Sequence, residues 1–227
     1  MICVKTVDLF ENRPDEIRLT LSDAEGKPVP VVLNAEHELN LFAGERLLHT
    51  FVCSPAELGE LCVGWLVSEG YGAHGVEVSR DGHAALAQGV SEAPARPERL
   101  HLTCVTETTT GQMLELFNRA SDKYARSHGI HECVIRGADW HILRTDIGRH
   151  NAIDKAVGAA MLAGYDLSGA VMFSSGRINV QTVRKAVRCG IGCLMSKAVI
   201  TRDALMLAEE LGLKVLFSVK ESGYMTK

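Results

Sequence analysis

The chain has no uninterrupted apolar run of the roughly 18 residues that a membrane-spanning helix needs. No basic segment precedes an apolar one at the start, so a secretory signal is not expected. Strong charge of one sign is also missing. Lys and Arg number 24 against 28 Asp and Glu, a net of −4, which argues against wholesale binding of nucleic acid or of an anionic membrane. There is no Gly-x-x-x-x-Gly-Lys-Ser/Thr, which excludes a P-loop, and Cys189-Gly190-Ile191-Gly192-Cys193 lacks the third glycine of a dinucleotide fingerprint. No two cysteines stand as Cys-x-x-Cys, and the segment at His131-Glu132-Cys133 lacks the His-x-Glu and Pro-Cys-x-x-Cys of a zinc deaminase. A protein-bound metal ion is therefore not expected. The seven cysteines are odd in number and scattered, unlike a disulfide framework, and fit a reducing, cytoplasmic compartment.

What is present reads as a globular protein: 227 residues, 46% hydrophobic and 23% charged, enough for one large domain or two small ones. Short strands are expected at 17–21, 29–33, 39–42 and 47–52, the last two joined by a turn at Gly44. Ser54-Pro55-Ala56-Glu57 reads as a helix start, with Ser54 as cap, Pro55 first in the helix and Glu57 completing a capping box. Leu58, Leu61, Cys62, Trp65 and Leu66 give that helix an apolar face, and Gly70 ends it. A strand pair and a linker ending near Pro97 follow. The expected division is a β-rich region with one helix over 1–100 and an α/β domain over 101–227. Beyond residue 108 helices and strands alternate: a helix ending near Gly129, strands at 133–136 and 140–144, and a helix stopping at Gly164. Then come a strand at 170–173, a helix at about 178–189, a strand near 191–195, a helix at 202–211 capped by Thr201, and a strand at 213–219. Such alternation predicts an α/β sheet layered with helices.

The notable polar residues of this second part fall where strands hand over to helices. Thr145-Asp146-Ile147-Gly148-Arg149-His150-Asn151, followed by Asp154 and Lys155, is one junction. Ser174-Ser175-Gly176-Arg177-Ile178-Asn179 is the second, and Ser196-Lys197-Ala198-Val199-Ile200-Thr201 the third. Ligands of open α/β sheets bind beyond the carboxyl ends of the strands, where helix N-termini offer free N–H groups. Arg149, Arg177 and Lys197 add positive charge there, which points to an anionic, phosphorylated ligand. Any one junction reads equally as caps and turns; three together, each with a cation, favour the ligand. His150 is open to either role.

Asp146-Ile147-Gly148-Arg149-His150-Asn151-Ala152-Ile153-Asp154-Lys155 resembles the Asp-Val-Gly-Arg-His-Asn-Ala-x-Asp-Lys signature of the formate dehydrogenase accessory sulfurtransferases, the FdhD family. Residues 53–58 and 63–70 resemble that family's N-terminal helix, His128-Gly129-Ile130-His131 its Gly-Gly-x-His segment, and Ser175-Gly176-Arg177 its Ser-Gly-Arg block. The resemblance implies a deaminase-like three-layer α/β/α sandwich with a smaller β-rich N-terminal region, as a homodimer. It implies transfer of sulfur, held as a cysteine persulfide, from a cysteine desulfurase to a molybdenum bis-guanine-dinucleotide cofactor destined for formate dehydrogenase or a related molybdoenzyme. Asp146, Gly148, Arg149, His150, Asn151, Asp154, Lys155, Ser175, Gly176, Arg177, Lys197, Thr201 and His131 are the candidate binding residues. Cys104 is the candidate sulfur carrier.

The sequence departs from the family where Cys-x-x-Cys is usual. Thr103-Cys104-Val105-Thr106-Glu107 has Glu107 in place of the second cysteine, Thr145 replaces a Glu, and Ile200 replaces a Pro. One thiolate suffices for a persulfide, yet Cys104 equally suits packing in a strand. The alternative is a non-catalytic chaperone that binds the molybdopterin nucleotide.

Overall fold

The structure is a computed structural model and describes residues 5–8, 15–92, 107–120 and 129–227. Its N-terminal part is made of strands because short alternating apolar runs are broken by turn residues. β4 (His37–Ala43) and β5 (Arg46–Cys53) form the hairpin expected at Gly44, whose φ of 58° is left-handed backbone that glycine adopts without a Cβ conflict. They join β1 (Lys5–Asp8), β7 (Gly75–Val78) and β8 (Ala84–Gln88) in a five-stranded sheet of order β1-β7-β8-β4-β5. β2 (Glu16–Ser22) and β3 (Pro28–Asn34) pair only with each other, as do β6 (Tyr71–Gly72) and β9 (Ser91–Glu92).

Helix α1 (Leu58–Glu69) packs Leu58, Leu61, Cys62 and Leu66 on this sheet and ends at Gly70, as expected. Its beginning differs from expectation. Ser54 does not cap it: the Ser54 hydroxyl accepts from Ile147 N–H at 3.2 Å, and Ser54 N–H donates to Asp146 Oδ2 at 3.0 Å. The helix instead starts behind Glu57, which is left-handed at φ 50° and gives no side-chain cap. A long-range bond has displaced the local one. On its other side α1 crosses α3 (Arg149–Leu162) so closely that glycine is required at the contact. A Cβ on Gly64 would run into the Asp154 carbonyl oxygen, and one on Gly158 into that of Glu60. Both helices are buried around most of their girth, so neither shows a single apolar stripe.

The second sheet has six strands in the order β11-β10-β12-β13-β14-β15. These are β10 (His131–Arg136), β11 (His141–Asp146), β12 (Val171–Ser174), β13 (Cys193–Ser196), β14 (Lys214–Lys220) and β15 (Gly223–Thr226). β12, β13 and β14 run parallel, while β10, β11 and β15 enter antiparallel to their neighbours. The last strand, β15, was not foreseen from the sequence. One face carries α3, α4 (Val180–Arg188) and α5 (Arg202–Glu210) over Cys133, Ile135, Met172 and Leu194. The other carries α2 (Glu107–Ala120), which sets Met113, Leu114 and Phe117 on Val134, Phe173 and Met195. This is the three-layer α/β/α sandwich implied by the resemblance. The linker near Pro97, Cys104 and the expected end of α2 before Gly129 lie outside the described residues. Among the described residues no helix is long and apolar enough to cross a membrane.

Candidate functional site

Strand register decides whether the three junctions meet. His131 pairs with Asp146, Cys133 with Ser174, and Ser174 with Ser196. The start of β10 and the ends of β11, β12 and β13 therefore share one rim. Gly148, Asn179 and Thr201, at the N-caps of α3, α4 and α5, follow immediately.

The first junction divides by role. Asp146 is fully buried and uses both oxygens inside the protein: Oδ1 accepts from Gly148 N–H (2.8 Å) and Asn151 Nδ2 (3.0 Å), and Oδ2 meets Lys155 Nζ at 2.7 Å. Lys155, also fully buried, donates to the Ser54 carbonyl at 3.2 Å, and Asn151 also donates to the Val52 carbonyl at 2.7 Å. Asp154 faces the opposite way along α3, bonded to Ser68 Oγ (2.7 Å) and Lys185 Nζ (2.9 Å). Lys185 also pairs with Glu69 at 2.9 Å, and Arg188 with Glu69 at 2.9 Å. Burial works against the Lys185 charge, but Asp154 and Glu69 outweigh it and hold its pKa above the ordinary lysine value. Asp146, Asn151, Asp154 and Lys155 thus bind the N-terminal loop and α1 to α3, their side chains taken up by internal partners that shape the rim. Removing one member of such a buried pair costs about 3–5 kcal/mol, because a charge is left unmatched.

Arg149 and His150 point elsewhere. The Arg149 stem lies against Gly176, where a Cβ would come within 2.9 Å of its Cβ and Cδ. Glycine at 176 therefore lets Arg149 cross to the second junction, beside the exposed Arg177. The Gly176 turn is locked by Ser174 Oγ, which accepts from its N–H (3.2 Å), and by Ser196 Oγ, which donates to its carbonyl (2.7 Å). Neither arginine has a hydrogen-bond or ion-pair partner among the described residues, and the Arg149 Nε is buried without one. Gly148 supplies no side-chain cap and the first turn of α3 holds no acid, so the positive end of that helix adds to the two arginines.

Two imidazoles flank this charge. His131 Nδ1 lies 3.0 Å from Ser175 Oγ, which itself accepts from Glu132 N–H at 3.0 Å; the hydroxyl proton is thereby available to Nδ1, leaving Nε2–H as a donor at the rim. His150 Nε2 approaches Asn179 Oδ1 at 3.4 Å, and that oxygen caps α4 by accepting from Thr182 N–H. Burial first, and Arg149 second, hold both histidines below the usual imidazole pKa.

Lys197 and Thr201 are not brought to this face. Lys197 turns to the α2 layer, donating to Asn118 Oδ1 at 2.7 Å with its ammonium 4.6 Å from the Phe117 ring centre. Beside it lies Glu132, unremarked in the sequence, buried with neither carboxyl oxygen hydrogen-bonded; burial pushes its pKa up to about 7. Thr201 Oγ1 caps α5 by accepting from Ala204 N–H at 3.4 Å. Cys53, Cys62, Cys133, Cys189 and Cys193 are all buried free thiols. Burial, aided by Asp146, raises Cys53 to about 12, and burial raises Cys193 to about 12 and Cys133 further still.

Fold and rim together define a class: an α/β/α sandwich with a cationic, helix-terminated edge. The FdhD/NarQ family model matches residues 80–225, most of the second half of the molecule and the whole rim. The chain belongs to the FdhD/NarQ family. It is similar to the sulfur carrier protein FdhD of Halalkalibacterium halodurans, 26% identical over 214 residues that cover 78% of this chain and 79% of that protein. The sulfur carrier protein FdhD of Geobacillus kaustophilus is 27% identical over 241 residues, 91% and 86% of the two chains. A solved structure described as a formate dehydrogenase accessory protein, from Desulfotalea psychrophila, shares the fold with a TM-score of 0.79 at 20% identity, covering 94% of this chain and 96% of its own.

Proposed function

We propose that this protein is a sulfur carrier serving the maturation of formate dehydrogenase or a related molybdoenzyme. A cysteine desulfurase supplies the sulfur, Cys104 holds it as a persulfide, and the recipient is a molybdenum bis-guanine-dinucleotide cofactor bound as cargo, with the protein acting as a homodimer. The observation that carries the reading is Arg149, laid across Gly176 next to the exposed Arg177 at a helix start without a side-chain cap, neither arginine having a hydrogen-bond or ion-pair partner among the described residues. A phosphate-bearing guest supplies the counter-charge. Burial keeps five of the seven cysteines from meeting a donor protein, which leaves Cys3 and Cys104 as candidates, and Cys104 stands where the family's motif begins.

The test has two arms. Incubation with a cysteine desulfurase and cysteine, followed by intact mass measurement, should add one sulfur atom to the wild type and none to Cys104→Ala. Guanosine diphosphate should bind in calorimetry and weaken with Arg177→Ala. Nucleotide binding without any sulfur adduct would turn the reading to a cofactor chaperone, the role that Glu107 in place of a second cysteine favours. Loss of neither signal in the variants would overturn both roles.

A further inference from the structure

Three carboxyl groups among the described residues are at least nine-tenths buried, those of Glu132, Asp146 and Asp154. Asp146 meets Lys155 and Asp154 meets Lys185. Glu132 differs: it is 1% exposed, and neither of its carboxyl oxygens accepts a hydrogen bond. Burying an acid in this way is costly unless something answers it. The charge that acts on Glu132 is that of Lys197, whose ammonium gives one of its three N–H donors to Asn118 Oδ1.

Glu132 and Lys197 flank the turn that carries the rim arginines. Glu132 N–H donates to Ser175 Oγ at 3.0 Å, Ser175 N–H to the Glu132 carbonyl at 3.0 Å, and Lys197 N–H to the Ser174 carbonyl at 3.3 Å. Arg149 lies on Gly176, the next residue of that turn. The side chains of Glu132 and Lys197 leave on the α2 side: Glu132 shares the strand parity of Val134, and Lys197 stands over Phe117. Asn118 and Glu221, which also acts on the Lys197 charge, line a cavity of about 760 Å³ between α2 and the β14–β15 turn. That is the size of a small-ligand site. A guest straddling the strand ends can therefore meet the arginines with one part and this pair with another.

The pair restricts what that second part is. A metal cation, or a guanidinium from another protein, is repelled by Lys197, and an anion by Glu132. A neutral ring edge that presents two N–H donors and then a carbonyl oxygen satisfies both, the donors to the carboxylate and the oxygen to the ammonium. Guanine and pterin share such an edge: amino group, ring N–H and oxo group, in that order. We propose that Glu132 and Lys197 read this amino–oxo edge, as the base-selecting end of the site whose arginines hold phosphate. The inference rests on the phosphate-bearing guest proposed above and adds the selection of its base.

Calorimetry on the full chain at pH 8 is the test. Guanosine diphosphate should bind at least tenfold tighter than inosine diphosphate, which lacks only the 2-amino group. Glu132→Gln should erase that preference, whereas Arg177→Met should weaken both nucleotides alike and keep it. Lys197→Met should weaken both relative to adenosine diphosphate, whose edge has no oxo group, and it serves if Glu132→Gln fails to fold. Pterin, titrated alone, separates the two sources of the edge. Pterin binding lost in Glu132→Gln, with nucleotides bound without preference, would assign the pair to a pterin head. A guanine preference that survives Glu132→Gln would overturn the inference and leave the phosphate reading standing. So would nucleotides bound without preference while pterin binding is absent or unmoved by the variant. No nucleotide bound by the wild type would overturn both.

Discussion

Replacing Arg149 with Met separates its charge from its packing. Met keeps an unbranched stem against Gly176, where the Arg149 Cβ and Cδ now lie, and removes only the guanidinium. A hydrogen bond involving a charged group is worth about 1.5–3 kcal/mol, so losing the Arg149 contact to a phosphate should weaken guanosine diphosphate roughly 10- to 100-fold. Since Arg149 has no hydrogen-bond or ion-pair partner among the described residues, none of the described ion pairs is lost. A second effect follows from the histidines. Burial is the larger cause of the low pKa of His131 and His150, and Arg149 the next. The variant should therefore raise both, without restoring ordinary values. The imidazole proton signals followed by NMR titration report this directly. Because their folded pKa values are depressed, the unfolded chain binds more protons as pH falls through about 6.5, so stability declines there, and it should decline less in Arg149→Met. Unchanged nucleotide affinity together with unmoved histidine titrations would refute the placement of Arg149 at the rim.

Glu132→Gln tests the buried carboxyl on the α2 face. Burial raises Glu132 from 4.5 to about 7, so between those values the folded state holds a proton that the unfolded chain has released. Stability then falls as pH rises through 7, and the amide should relieve up to about 3 kcal/mol at pH 8 and nothing at pH 4, read by urea denaturation at both; equal gains at the two values would contradict this. Gly64→Ala forces α1 off α3, where a Cβ meets the Asp154 carbonyl, and should cost on the order of 3 kcal/mol in thermal unfolding; a neutral substitution would show that the helices are not in backbone contact. Alkylation of the native protein at pH 8 should leave Cys53, Cys62, Cys133, Cys189 and Cys193 unlabelled in peptide mass maps, because they are buried. Rapid labelling of any of them would contradict their placement.

The rim was legible from sequence because its signal is local: polar residues and glycines clustered where an apolar run stops and a helical period starts. What each side chain does at that rim depends on partners that no local pattern announces. Asp146, Asp154 and Lys155 read as ligand groups until Ser54 and Ser68, some ninety residues upstream, take them up. The capping-box reading of Ser54 failed for the same reason, its hydroxyl being drawn to Ile147. Lys197, expected at the rim, stands on the α2 side. It follows Ser196 directly, and one residue of alternation at the end of a strand sends a side chain to one layer of the sandwich or the other. Arg149 and Arg177 are left without an answering charge among the described residues. Among the described residues the well-buried charges of Asp146, Asp154, Lys155 and Lys185 are matched and Glu132 is not, and the half-buried Arg149 at the edge of the sheet stands without a partner, which is why its substitution tests the proposed guest most directly.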